Sequence, residues 1–181
     1  MKELSLHILD IAQNSIAAKA KKIEIHIWED LENNQLRIKI SDDGNGMDAK
    51  LAKRAVDPFC TSRNTRRVGM GLPLLKLAAN QCNGDLELQS QKGVGTTVEV
   101  CFQYDHIDRV PLGNMVDTML ILIGSDDQID YIYTHYYKNK IFFLDTKEVK
   151  KQLGDVPITN VNVVTFLKEY IEEGLKELVK I

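Results

Sequence analysis

Asp57-Pro58-Phe59-Cys60-Thr61-Ser62-Arg63-Asn64-Thr65-Arg66-Arg67-Val68-Gly69-Met70-Gly71-Leu72-Pro73-Leu74-Leu75-Lys76-Leu77 is the stretch on which the fold turns. It opens with an Asp-Pro stop, runs through a polar, arginine-rich loop and closes on Gly69-x-Gly71 at the mouth of an apolar helix. Glycines free backbone N–H groups, a helix N-terminus carries partial positive charge, and mobile cations stand beside both. That combination suits an anion such as phosphate. Taken alone, Gly-x-Gly before a helix is equally an ordinary tight turn, so the flanking sequence has to decide.

Upstream, Leu4, Ile8, Ile11, Ala12 and Ile16 recur at helical spacing over residues 4–18. Asp10 and Asn14 lie four apart, one turn from each other on the same face, with Ala17-Ala18 leaving room beyond them. A carboxylate and an amide above small residues read as a pocket wall; a solvated polar stripe is the plainer alternative. Ile23, Ile25 and Ile27, then Leu36, Ile38 and Ile40, alternate with polar residues around the turn Glu32-Asn33-Asn34, predicting an antiparallel hairpin. His26 falls on its polar side as a surface residue, and His7 reads as packing or surface.

The second strand runs into Ser41-Asp42-Asp43-Gly44-Asn45-Gly46-Met47. A calcium loop does not fit, since a strand precedes it and Lys53 stands where the closing Glu belongs. Short helices are predicted over 48–56 and 70–82, the latter stopped by Asn83-Gly84. Leu86 and Leu88, a glycine turn through Gly93 and Gly95, and Thr97 to Phe102 predict a second hairpin. Helices between strand pairs give an α/β two-layer sandwich, its sheet covered on one face.

Composition bounds the rest. The chain has 181 residues, 44% hydrophobic and 27% charged, with a net charge of −3. That balance gives no electrostatic reason to expect nucleic acid or an anionic membrane as partner. No apolar run is long enough to span a bilayer, and the start lacks a secretory core. Cys60, Cys82 and Cys101 lack metal-ligand spacing, which fits a reducing cytoplasm.

Residues 105–181 read as a separate small α+β extension of the first domain, 1–104. Residues 115–123 suit a helix or a buried strand; Ile129 to Tyr137 and Ile141 to Leu144 form a third hairpin. Asp145 with Glu148 predicts a capped helix stopped at Gly154, and Val164, Leu167, Ile171, Leu175 and Leu178 predict a last helix over 161–179. Tyr131, Tyr133, Tyr136 and Tyr137 fit sheet packing better than a docking surface. No catalytic motif is evident in this region.

Together these stations resemble the GHKL ATPases: gyrase, heat-shock chaperones, histidine kinases and MutL mismatch-repair proteins. Asp10-Ile11-Ala12-Gln13-Asn14-Ser15-Ile16-Ala17-Ala18 is similar to their asparagine-bearing helix, Asp42-Asp43-Gly44-Asn45-Gly46-Met47 to their first glycine box and Val68-Gly69-Met70-Gly71-Leu72 to the second. Gly93-Val94-Gly95-Thr96-Thr97 resembles the Gly-Thr that closes the nucleotide site. The match runs in order through residues 1–103.

The resemblance implies the Bergerat ATP-binding fold with ATP and Mg²⁺ as cofactors. It makes Asp42 the reader of the adenine amino group, with Thr96 beside it, and Asn14 the Mg²⁺ ligand. Gly44, Gly46, Met47, Gly69, Met70, Gly71 and Leu72 would line the nucleotide, and Thr61, Ser62 and Arg63 would belong to a lid over 61–68. Arg66 and Arg67 are phosphate or docking candidates. A guanine carbonyl facing Asp42 would cost about 1–3 kcal/mol.

Asp10 would be the general base. It stands where gyrases, chaperones and anti-sigma kinases carry a carboxylate, usually the longer Glu, and a displacement of about 1 Å can cost on the order of a hundredfold in rate. Because the first box begins at Asp10, no phosphoacceptor hairpin is expected ahead of it, which resembles stand-alone or anti-sigma-type kinases. The expected function is phosphotransfer from ATP to a separate regulatory protein or to water. A non-catalytic ATP-dependent switch is the alternative, a MutL-like repair role is more remote, and a homodimer is one option for assembly.

Overall fold

The computed structural model describes residues 2–57 and 71–180. In chain order the elements are α1 (Leu4–Ala17), β1 (Lys22–Asp30), β2 (Gln35–Asp42), α2 (Ala49–Ala55), α3 (Gly71–Gln81), β3 (Asp85–Gln91) and β4 (Gly95–Gln103). There follow α4 (Met115–Ser125), β5 (Asp130–Tyr137), β6 (Lys140–Asp145), α5 (Thr146–Leu153) and α6 (Val161–Val179). The three hairpins form as their alternation predicts, and all six of these strands join one sheet in the order β3-β4-β2-β1-β5-β6.

Period-two alternation sets the layers. Ile23, Ile25, Ile27, Leu36, Ile38, Ile40, Val98, Val100 and Phe102 are all buried, while the residues between them are half-buried. The helices α1, α3, α4 and α6 pack side by side against that apolar face. On the opposite face the Arg37 guanidinium lies 4.2 Å from the centre of the Trp28 ring, which stacks on Tyr136 at 5.4 Å. The result is an α/β two-layer sandwich.

The residues after 104 share the sheet and the buried cluster of those before it. β5 pairs in parallel with β1 from Lys22↔Asp130 to Glu29↔Tyr137, so the third hairpin widens the first domain's own sheet. Met119, Leu122, Tyr131, Tyr133, Leu167 and Ile171 belong to the same buried cluster as Leu4 and Ile25. The sequence pattern marks each strand's apolar side but not its neighbour, and the Pro- and Gly-punctuated connector 106–113 reads as a linker. Residues 115–125 take the helical alternative, because Asn114 caps them by accepting from the Asp117 N–H at 3.0 Å.

A buried polar clip fastens the joint. His135 Nε2 lies 2.7 Å from Glu29 Oε1, and Tyr133 OH lies 2.9 Å from His135 Nδ1. Tyr104 donates its hydroxyl to Glu29 Oε2 at 2.9 Å. Burial alone would push the Glu29 carboxyl up, but the hydrogen bonds from His135 and Tyr104 hold it below its ordinary value. Burial and the Glu29 contact push the Tyr104 hydroxyl up to about 12. Tyr131 and Tyr133 are core residues, as sheet packing predicts.

Candidate functional site

The helical repeat of α1 and the run of β2 into its turn bring four segments to one end of the sheet. Asp42 closes β2 and stands directly opposite Thr96 near the start of β4. Both carboxylate oxygens of Asp42 are held. Oδ2 accepts from the Ser15 hydroxyl at 2.6 Å, and Oδ1 accepts from the Gly44 N–H at 2.9 Å. Asp43 turns the other way and accepts from the N–H groups of Lys21 and Lys22, which pins the loop to the start of β1.

The loop beyond is fastened on two sides. The Asn45 N–H donates to Ala18 O at 2.8 Å, and Asn45 O accepts from the Gly93 N–H at 2.7 Å. Gly46 sits at φ +60°, where a Cβ would lie 2.0 Å from Gln91 O, so the turn excludes any side chain there. The Met47 N–H donates to Ser90 Oγ at 2.8 Å, and the same hydroxyl lies 2.8 Å from Thr96 Oγ1. Ser90 thereby ties Met47 to Thr96.

Asp10 looks towards the first turn of α3. A Cβ on Gly71 would fall 1.7 Å from Asp10 Oδ2, so glycine at that point is what lets the carboxylate approach the helix N-terminus. Oδ2 is buried and has no hydrogen-bond partner among the described residues. Burial raises the Asp10 carboxyl above its ordinary value. Asn14, one turn on, is exposed, and its side chain makes no hydrogen bond among the described residues. Leu72 packs partly against the core, and Pro73 is buried in the first turn of α3, where proline is tolerated.

His7 is buried in α1, where burial lowers its pKa, consistent with packing. Thr61, Ser62, Arg63, Gly69 and Met70, with Arg66, Arg67 and the rest of the expected lid, lie outside the described residues. Two hydroxyls were not anticipated as site residues, Ser15 and Ser90. Ser15 carried a signal, since it continues the buried stripe Leu4, Ile8, Ile11 at helical spacing as a polar residue on an apolar face. Ser90 carried none, because a serine near the end of a half-exposed strand is ordinary.

A cavity of about 760 Å³ opens at the opposite end of the sheet, bordered by Trp28, Glu29, Asp30 and Tyr136. Two of its carboxylates, Glu29 and Asp30, are engaged by His135 and Asn33. Among the described residues no group of three or more His, Cys, Asp or Glu side chains converges to hold a metal. Nor is any described helix long and apolar enough to cross a membrane.

The family model described as histidine kinase-, DNA gyrase B-, and HSP90-like ATPase matches residues 2–106, which contain every residue of this site. The chain belongs to that family. Domains of this ATPase family bind ATP. The chain is 36% identical over 97 residues to the signal transduction histidine-protein kinase AtoS of Escherichia coli, covering 54% of this chain and 16% of AtoS. It is 31% identical over 108 residues to the sensor histidine kinase YxdK of Bacillus subtilis, covering 56% of this chain and 33% of YxdK. The chain thus spans a third or less of these two curated relatives.

Among solved structures, the Aquifex aeolicus MutL ATPase domain complexed with ADP superposes with a TM-score of 0.52 at 15% identity. That alignment covers 93% of this chain and 88% of the MutL domain, so the likeness of fold extends past residue 106.

Proposed function

We propose that this ATPase-family domain binds ATP with Mg²⁺ and passes the γ-phosphate to a separate regulatory protein or to water. The observation that carries the reading is the base-reading corner. Asp42, held by Ser15 and Gly44 opposite Thr96, offers acceptor oxygens at the end of a buried strand. An adenine amino group satisfies that acceptor, whereas a guanine carbonyl leaves two oxygens facing each other.

Asn14 suits Mg²⁺, since its amide oxygen is exposed and unengaged among the described residues, and Mg²⁺ needs few protein ligands. When bound, Mg²⁺ neutralises charge on the phosphate oxygens. Asp10, on the same face and with an unpartnered oxygen, takes the proton of a water or acceptor group as that group's oxygen or nitrogen bonds to the γ-phosphorus. The bond from that phosphorus to the bridging oxygen breaks, and ADP leaves with the bridging oxygen. Burial, which raises the Asp10 pKa, makes the carboxylate a stronger base than an exposed one.

Calorimetric titration tests the reading. The protein is expected to bind ATP in preference to GTP, and Asp42→Asn should weaken ATP by about 1.5–3 kcal/mol, the worth of a charge-assisted hydrogen bond. Equal affinity for the two nucleotides would overturn it. Binding without turnover, with any acceptor supplied, would replace phosphotransfer by an ATP-dependent switch.

A further inference from the structure

We propose that Ser15 is a positioning residue that sets nucleobase selectivity, a role that rests on the reading of Asp42 given above. Ser15 lies on α1, 3% exposed, with its hydroxyl 2.6 Å from Asp42 Oδ2. A hydroxyl has one proton to give. The competing acceptor, Ile11 O one turn back, is 3.3 Å away and is a neutral carbonyl. The shorter contact has the length of a charge-assisted O–H···O⁻ bond, so the proton goes to Asp42.

Two consequences follow at the base pocket. First, Asp42 is held from both sides, by Ser15 at Oδ2 and by the Gly44 N–H at Oδ1, so its carboxylate plane cannot swing. The lone pairs left over require a donor, which a purine carries at its 6 position as an amino group but not as an oxo group. Second, the Ser15 proton is withdrawn from any incoming carbonyl, so Ser15 offers no donor that would welcome guanine. Without Ser15 the carboxylate gains a torsional degree of freedom, and water can stand between it and the base.

Selectivity therefore resides in a pair of residues, one on α1 and one on β2. The same helix carries Asp10 and Asn14, so the contact also fixes the height of α1 over the sheet end at the point where the base is read.

The test is the ratio of affinities for ATP and for purine riboside triphosphate, which lacks only the amino group, measured by titration on wild type and on Ser15→Ala, Ser15→Cys and Ser15→Thr. Wild type should prefer ATP, and Ser15→Ala should lose about tenfold of that preference with little change for the analogue. Ser15→Cys keeps the volume but is a weak donor, so it should behave like alanine; Ser15→Thr restores the hydroxyl and should restore the preference. A merely structural role would weaken both nucleotides alike and leave the ratio unchanged.

If wild type shows no preference, the assignment of Asp42 fails. If wild type discriminates and Ser15→Cys discriminates equally, the Ser15 proposal fails while that assignment stands. Should Ser15→Ala not fold, the cysteine and threonine variants give the same decision.

Discussion

At the scale of single residues, Asp10 carries the sharpest conflict between stability and use. Its Oδ2 is buried without a hydrogen-bond partner among the described residues, and burial raises its pKa. The native state then takes up a proton more readily than the unfolded chain. Stability falls as pH rises from the ordinary carboxylate value of about 3.9 to the raised one, and the buried charge remains a cost above it. Asp10→Asn removes that charge, so its melting temperature at neutral pH should equal or exceed that of wild type. Turnover should fall by about a hundredfold or more, since an amide cannot take the proton. In the wild type, turnover should rise with pH through the raised Asp10 value. Calorimetry paired with a phosphate-release assay checks both arms, and a variant both less stable and fully active would remove Asp10 from the mechanism. The sequence exposed this residue through its spacing from Asn14. It could not show the close approach of Gly71, because that contact joins residues far apart along the chain.

At the scale of elements, local signals and long-range ones part company. The cap at Asp145 and the alternation of all three hairpins were readable, because each is written within a few neighbouring residues. The parallel pairing of β1 with β5 was not, since nothing in an alternating strand names its neighbour. Nor was the clip at that joint, because Glu29, Tyr104 and His135 come from three distant segments. His135→Ala should leave a half-buried carboxylate short of its partner and cost about 1–3 kcal/mol in chemical denaturation. Glu29 is held below its ordinary value, so its contribution is present above the unfolded carboxylate range near 4.3 and is lost as pH falls through the folded value. The deficit of His135→Ala should therefore shrink on acidification. Replacing both partners, as Glu29→Leu with His135→Leu, should recover the part of the loss that comes from the stranded charge, while the Tyr104 and Tyr133 hydroxyls still lack their partners. A double variant as unstable as the single one would contradict this account.

At the scale of the molecule, one core spans both the family-matched region and the residues after it. The full chain should unfold in a single transition, with near- and far-ultraviolet circular dichroism coinciding. A piece ending at residue 104 should show no cooperative transition, since it loses the pairing of β1 and the cover of α4 and α6. A sharp transition of that piece at the full-length midpoint would show an independent domain after all. The parallel joint also sets a timetable for the growing polypeptide. The strands it unites lie roughly a hundred residues apart, so at about 5–20 residues per second a ribosome leaves the outer edge of β1 unclaimed for about 5–20 s. Throughout that interval the margin of β1 stays without its partner strand, and the chain's yield in the cell should depend on whatever shields that margin until β5 emerges.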